Sequence, residues 1–72
     1  MKYEIVERIY DAKNDSIIKE RIITHRDTED AARKVASTWA DVMKNDNKSY
    51  SVFRIEDDES KTEICEIFAK ST

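Results

Sequence analysis

DTEDAARKVASTWADVMKN, residues 27–45, is the segment from which the rest of the fold can be worked out. Its apolar residues recur at intervals of three and four, which is the pattern of a buried stripe on an amphipathic helix. The stripe comprises Ala32, Val35, Ala36, Trp39, Val42 and Met43. Asp27 is the expected N-cap, and Asn45 is expected to take a left-handed conformation after the last turn. The pattern predicts a helix over about residues 28–44.

The segments on both sides of this helix are rich in Ile, Val, Tyr and Phe, as β-strands are. Three polar stretches, at residues 11–16, 44–49 and 56–60, interrupt them and mark turns. Because the chain contains no glycine, we expect Asn or Asp to supply the positive φ angles there. The Asn candidates are Asn14, Asn45 and Asn47. The predicted strands span about residues 2–11, 17–25, 49–56 and 61–69.

Cross-strand chemistry predicts the register of both hairpins, because apolar residues pair well with each other and so do opposite charges. In the first hairpin the predicted pairs are Tyr10–Ile18, Arg8–Glu20, Glu7–Arg21, Val6–Ile22 and Ile5–Ile23. In the second hairpin they are Glu56–Lys61, Arg54–Glu63, Phe53–Ile64, Val52–Cys65 and Tyr50–Ile67. This register leaves residues 57–60 to reverse the chain, so we interpret the acidic run Asp57–Glu59 as a turn rather than a metal site.

The order of the elements predicts an α+β fold, a single β-β-α-β-β domain over residues 1–72. One helix is expected to pack on one face of a mainly antiparallel four-stranded sheet. The strand order stays open, because the helix can return the third strand beside the first, antiparallel, or beside the second, parallel. The face of the sheet that meets the helix stays open as well.

The composition excludes several classes of enzyme in their usual forms. Walker loops, dinucleotide-binding GxGxxG turns and nucleophile elbows need glycine, and the 72 residues contain none. His25 is the only imidazole and Cys65 the only thiol, so a catalytic triad, an internal disulfide and a Cys/His metal site lack their residues. We therefore assign no catalytic residue, no cofactor and no metal, and expect a protein that is not an enzyme.

The predicted strands carry apolar side chains on both faces, although a sheet covered by one helix should alternate between apolar and polar. A helix of about 17 residues spans roughly 25 Å and covers only one face. A second apolar surface therefore remains, and we expect it to pack against another copy of the chain in a homodimer. The interface candidates are Val6, Arg8, Tyr10, Ile18, Glu20, Ile22, Tyr50, Val52 and Ile67.

The charge pattern favours a protein partner over nucleic acid. The net charge is −3, from 13 basic and 16 acidic residues. Most basic residues have a predicted acidic partner, and such pairs cancel the field that phosphate binding needs. These pairs are Arg8–Glu20, Glu7–Arg21, Glu29–Arg33, Asp30–Lys34 and Arg54–Glu63. The alternative function is a small nucleic-acid-binding or regulatory domain, in which exposed Tyr3, Tyr10 or Tyr50 stacks on bases.

The sequence also bears on location and biological context. No stretch approaches the roughly 18 apolar residues of a membrane helix, and the charged N-terminus does not resemble a secretory signal. The unpaired Cys65 suits a reducing compartment, so we expect a cytoplasmic protein. The small, glycine-free build, rich in Lys, Asp and Ile, is similar to that of accessory or inhibitor proteins of phages and mobile elements. That likeness is compositional and implies no site residues.

Overall fold

The computed structural model describes residues 2–11, 13–45 and 47–69, and it confirms the β-β-α-β-β order. The elements are β1 (Lys2–Tyr10), β2 (Ile17–Arg26), α1 (Glu29–Met43), β3 (Lys48–Ile55) and β4 (Lys61–Ala69). Met1, Ala12, Asp46 and residues 70–72 belong to the predicted domain but lie outside the described residues.

The four strands form one sheet in the order β2-β1-β3-β4, and every neighbouring pair is antiparallel. Of the two arrangements that the sequence left open, the third strand beside the first is therefore the one observed. The helix packs mainly on β3 and β4 and touches β2 least. The strand order makes β2 an edge strand, and the position of the helix leaves it with little cover on either face. In the described part of the chain, no helix has the length and apolar content that crossing a bilayer requires.

Both ends of the helix differ from the prediction by one residue. The N-cap is Thr28 rather than Asp27, since the Thr28 hydroxyl accepts a hydrogen bond from the Ala31 amide at 3.2 Å. At the other end Lys44, not Asn45, takes the left-handed conformation, with φ 43° and ψ 58°. The left-handed region is unfavourable for a residue with a Cβ, so this helix end carries a small local strain.

Replacing Lys44 with Gly is expected to stabilise the fold. Glycine takes the left-handed conformation without a steric penalty, and after its greater unfolded-state entropy is subtracted the gain is about 0.5–1 kcal/mol. Urea unfolding followed by circular dichroism measures the change. Lys34→Gly is the control, because the same substitution inside the helix is expected to destabilise by about 1 kcal/mol. Equal destabilisation by both variants would contradict the interpretation.

The predicted registers are correct in part of each hairpin and wrong beyond the points where the ladders shift. Three pairs of the first hairpin are confirmed: Val6–Ile22, Glu7–Arg21 and Arg8–Glu20. Ile5 instead pairs with Thr24 and Tyr10 with Ile17, because the ladder shifts on both sides of the central pairs. Such shifts insert an extra residue that cross-strand chemistry alone does not reveal.

The second hairpin shows the same behaviour. Tyr50–Ile67 and Val52–Cys65 are confirmed, and a shift then moves the remaining pairs by one residue. The observed pairs beyond the shift are Phe53–Glu63, Arg54–Thr62 and Ile55–Lys61. Arg54 therefore does not face Glu63. Its guanidinium instead forms an ion pair with Glu56, which directly follows β3.

The acidic stretch at residues 56–60 is a turn, as predicted. The Glu56 amide donates to the Ser60 carbonyl at 2.8 Å, and the Glu59 amide donates to the Glu56 carbonyl at 3.0 Å. Asp58 accepts hydrogen bonds from both the amide and the hydroxyl of Ser60, at 3.1 and 2.6 Å. None of the three Asn residues takes a positive φ. In the part of the chain that the structure describes, the residues with positive φ are Asp15, Lys44 and Glu59.

The core lies between the helix and one face of the sheet, and small residues on the helix allow a close approach. Ala32, Ala36 and Ala40 are buried against the sheet. The buried sheet residues in this cluster are Tyr3, Ile5, Tyr50, Val52 and Ala69. Val42 was predicted to belong to the buried stripe, but it is 71% exposed, and Ala40 lies on the buried side instead.

Candidate interaction surface

The face of the sheet opposite the helix carries both apolar and charged side chains, and we call it the open face. Alternation along β1 fixes it, because Ile5 packs in the core and its neighbours Glu4 and Val6 point to the other side. The residues of the open face used below are Glu4, Val6, Arg8, Tyr10, Glu20, Ile22, His25, Ser49, Ser51, Phe53, Lys61, Glu63, Glu66 and Phe68.

The structure places the nine predicted interface residues in three different positions. Five lie on the open face: Val6, Arg8, Tyr10, Glu20 and Ile22. Ile18 is 64% exposed at a shift in the β1–β2 ladder. The other three, Tyr50, Val52 and Ile67, pack in or against the core beneath the helix. Grouping them with the open face was wrong, because β1–β3 pairing places Val52 beside Ile5 and Ser51 beside Val6.

A network of charged and hydroxyl groups centred on Arg8 occupies the middle of the open face. The Arg8 guanidinium donates to both oxygens of Glu63, at 3.2 and 3.4 Å. It also lies 3.3 Å from Glu66 Oε2, and its Nε lies 3.7 Å from Glu20 Oε2. Its carbon Cζ stacks over the Phe53 ring at 5.3 Å from the centroid. Three carboxylates and one aromatic ring therefore surround a single cation.

Two serines of β3 complete this network. Ser49 Oγ donates to Glu66 Oε2 at 2.5 Å, and Ser51 Oγ lies 3.4 Å from Glu63 Oε2. The Tyr10 hydroxyl also donates to Glu66 Oε2. Both serines are fully buried although they lie on the face opposite α1. Because serine side chains are short, Arg8 from β1 and Glu63 and Glu66 from β4 can meet above β3 and cover the two serines.

These contacts hold Glu66 in its charged form. Burial raises the pKa of Glu66, but hydrogen bonds from Ser49, Tyr10 and Arg8 outweigh burial and keep that pKa below its ordinary value. Conversely, burial and the hydrogen bond to Glu66 raise the pKa of Tyr10. At neutral pH the network therefore presents one cation and three anions, which leaves the centre of the open face locally acidic.

Apolar side chains flank the network on two sides. Tyr10 and Phe68 meet edge to face with ring centroids 5.8 Å apart, and Phe68 remains 49% exposed. On the other side Val6, Ile22 and Phe53 line a shallow depression of about 370 Å³, together with Glu4, Glu20, Arg21 and Lys61. Ile22 in that depression is 51% exposed. The open face thus combines exposed apolar groups with a fixed polar centre.

A second ionic contact closes the depression at the far end of β1. Glu4 is buried and receives the Lys61 ammonium at 2.7 Å. His25 Nε2 lies 3.2 Å from the other Glu4 oxygen. His25 is thus an exposed residue near the end of an edge strand that contacts a carboxylate.

A buried carboxylate on the helix side of the sheet is a feature that sequence reasoning did not identify. Glu7 is only 2% exposed. It accepts hydrogen bonds from the Tyr50 hydroxyl at 2.6 Å and from Arg21 Nε at 2.8 Å, and the Lys48 ammonium lies 3.8 Å away. Burial raises the pKa of Glu7, but these partners outweigh burial and lower it overall. The signal in the sequence was the Glu7–Arg21 pair, which was predicted correctly as a cross-strand pair but gave no indication that Glu7 is buried.

The carboxylates of Glu7 and Glu66 bind neighbouring side chains and so stabilise the fold. Glu7 and Glu66 have lowered pKa values and are saturated with donors, whereas a general acid needs a raised pKa and a pocket for substrate. Cys65 lies on the edge strand β4, where it pairs with Val52, and is half-buried. Within residues 2–11, 13–45 and 47–69, no three His, Cys, Asp or Glu side chains form a group that could hold a metal ion.

The tyrosines invoked for nucleic-acid stacking are not available for that role. Tyr3 and Tyr50 are buried in the core, and Tyr50 lies against Trp39 with ring centroids 5.9 Å apart. Tyr10 is half-buried and bound to Glu66. Comparisons of the chain with protein-family models, with curated proteins and with solved structures find no match.

Proposed function

We propose that this protein is a non-enzymatic interaction domain that forms a two-fold homodimer through its open face. The observation that carries the proposal is the exposure of Ile22 and Phe68, about half of each side chain, on a face that no helix covers. The two side chains lie on the same surface, on either side of the Arg8 network, and exposed apolar area of this kind is typical of interaction sites. A chain of 72 residues also gains stability by association, because a domain of this size buries a small core.

The Arg8 network supports the same proposal because its side chains are held in fixed positions. Arg, Tyr and aromatic residues are the residues that most often dominate the energy of protein contacts, and here Arg8, Tyr10 and Phe53 are already held in place. Because these side chains are fixed before association, little conformational entropy remains to be lost on binding. A face-to-face pair also brings two locally acidic centres near each other, so the dimer is expected to strengthen as salt screens them.

A pair of matched variants tests the dimer. Ile22→Glu or Phe68→Glu is expected to weaken self-association by at least about tenfold, because each substitution acts twice in a two-fold interface. Val42→Glu is the control, since Val42 is 71% exposed on the helix and lies away from the open face. Sedimentation equilibrium should show twice the 8.5 kDa chain mass for wild type and for Val42→Glu. A monomeric wild type, or equal weakening by all three variants, contradicts the proposal.

We propose the cellular location and the biological role from the sequence alone. The composition supports a cytoplasmic accessory or inhibitor protein of a phage or mobile element, which acts by contact with another protein. The alternative, a nucleic-acid-binding domain, predicts a salt-dependent shift with mixed DNA and RNA. The locally acidic centre of the open face favours the protein partner.

A further inference from the structure

A groove runs between the helix and the uncovered outer strand, away from the open face. It forms because α1 lies over β3 and β4 and leaves β2 largely uncovered. Its volume is about 420 Å³, and its lining comprises Arg26, Ala31, Lys34, Val35, Thr38 and Trp39. Val35 and Trp39 are half-buried and pack against the core from this side. The groove therefore has an apolar floor with two basic side chains at its rim.

Among residues 2–11, 13–45 and 47–69, neither of the two cations forms an ion pair with a carboxylate. The Arg26 guanidinium donates to the Thr24 hydroxyl at 2.9 Å and to the His25 carbonyl at 2.7 Å, which fixes its position without a carboxylate. The predicted Asp30–Lys34 pair is absent from the ion pairs of the described residues, whereas Glu29–Arg33 forms with 2.8 Å between Nε and Oε2. In a chain with net charge −3, this rim is a local excess of positive charge.

We propose that this groove binds an acidic, amphipathic segment of a partner protein. An apolar side chain of that segment packs on Val35 and Trp39, and its carboxylates face Arg26 and Lys34. Charge complementarity selects this occupant, since the rim offers two cations without acidic partners and the floor offers apolar contact. A nucleic-acid backbone is disfavoured, because two cations give little phosphate affinity. The inference does not depend on the dimer.

Titration of the ¹⁵N-labelled protein with two blocked synthetic pentapeptides, DLEFD and KLKFK, tests the proposal. We expect DLEFD to shift the amide signals of Ala31, Val35 and Thr38 and the indole signal of Trp39, the only tryptophan. The affinity for KLKFK is expected to be at least about tenfold lower, from two lost surface charge contacts. Equal responses to the two peptides, shifts confined to the open face, or no shift at millimolar peptide would overturn the proposal.

A charge-reversal variant sharpens the test. Arg26→Glu with Lys34→Glu is expected to lose the response to DLEFD and to gain one to KLKFK. Lys13→Glu with Lys19→Glu is the matched control, because it changes the net charge equally outside the groove and should leave the preference for DLEFD intact. Loss of that preference in both double variants would mean that net charge, not the groove, selects the peptide. If the Arg26 variant fails to fold, the comparison of peptides on wild type still decides.

Discussion

Replacing Arg8 with Met is expected to destabilise the fold by about 3 kcal/mol. The substitution leaves Glu63 and Glu66 close together on the open face without the guanidinium that neutralises them. Removing one partner of a buried ion pair costs about 3–5 kcal/mol, and the lower end applies here because Glu20 and Glu63 keep some contact with solvent. A domain of this size has a total stability of about 3–5 kcal/mol, so the variant should be largely unfolded at room temperature.

Urea unfolding at neutral pH measures this effect, and two further variants make it specific. Arg33→Met removes the cation of the exposed Glu29 pair and should change the midpoint little. Arg8→Met with Glu66→Gln should recover part of the loss, because the double variant no longer holds two facing carboxylates. If Arg8→Met unfolds at the same urea concentration as Arg33→Met, the network contributes nothing to the fold.

The second large loss of stability is expected when Glu7 is replaced. Glu7→Ala leaves the buried Tyr50 hydroxyl without its acceptor and opens a cavity beneath the helix, at a cost of about 3 kcal/mol. Tyr50→Phe removes the hydroxyl and leaves Glu7 bound to Arg21, so its cost should be nearer 1 kcal/mol. Thermal and urea unfolding of both variants measure the difference. Equal costs would show that the Tyr50 contact alone accounts for the effect of Glu7.

The lowered pKa of Glu7 gives this site a defined pH dependence. An unfolded glutamate has a pKa of about 4.3, and in the folded protein the pKa of Glu7 is lowered from its ordinary value. The stability that the charged form contributes is therefore fully present above the unfolded pKa and is lost as the pH falls through the folded one. Glu7→Gln should be less stable than wild type at neutral pH and should lose less stability on acidification. Parallel curves for the two proteins would contradict this assignment.

The sequence was sufficient for the type and order of the helix and strands, because the signals for these are local. The apolar periodicity of residues 27–45 predicts the helix, and the polar stretches predict the turns. The central pairs of each hairpin, such as Arg8–Glu20 and Val52–Cys65, follow from charge and size. Each of these inferences needs only residues that are near in sequence or directly opposite in a hairpin.

The open face was less predictable because it depends on how the two hairpins meet. Both faces of the second hairpin are apolar in the sequence, and only β1–β3 pairing places Phe53 and Phe68 opposite the helix. The shift in the β3–β4 ladder then pairs Glu63 with Phe53 on the open face, within reach of Arg8, instead of leaving it opposite Arg54. Buried Glu7 was missed for the same reason, since its partner Tyr50 lies 43 residues away.

The central claim is that a second copy of the chain covers the open face, and intermolecular nuclear Overhauser effects test it most directly. The sample is an equal mixture of ¹³C-labelled and unlabelled protein at high concentration. The account predicts contacts between copies from the side chains of Ile22, Phe53 and Phe68, and none from Val42. A complete absence of intermolecular contacts, or contacts that involve the outer surface of the helix instead, would contradict it.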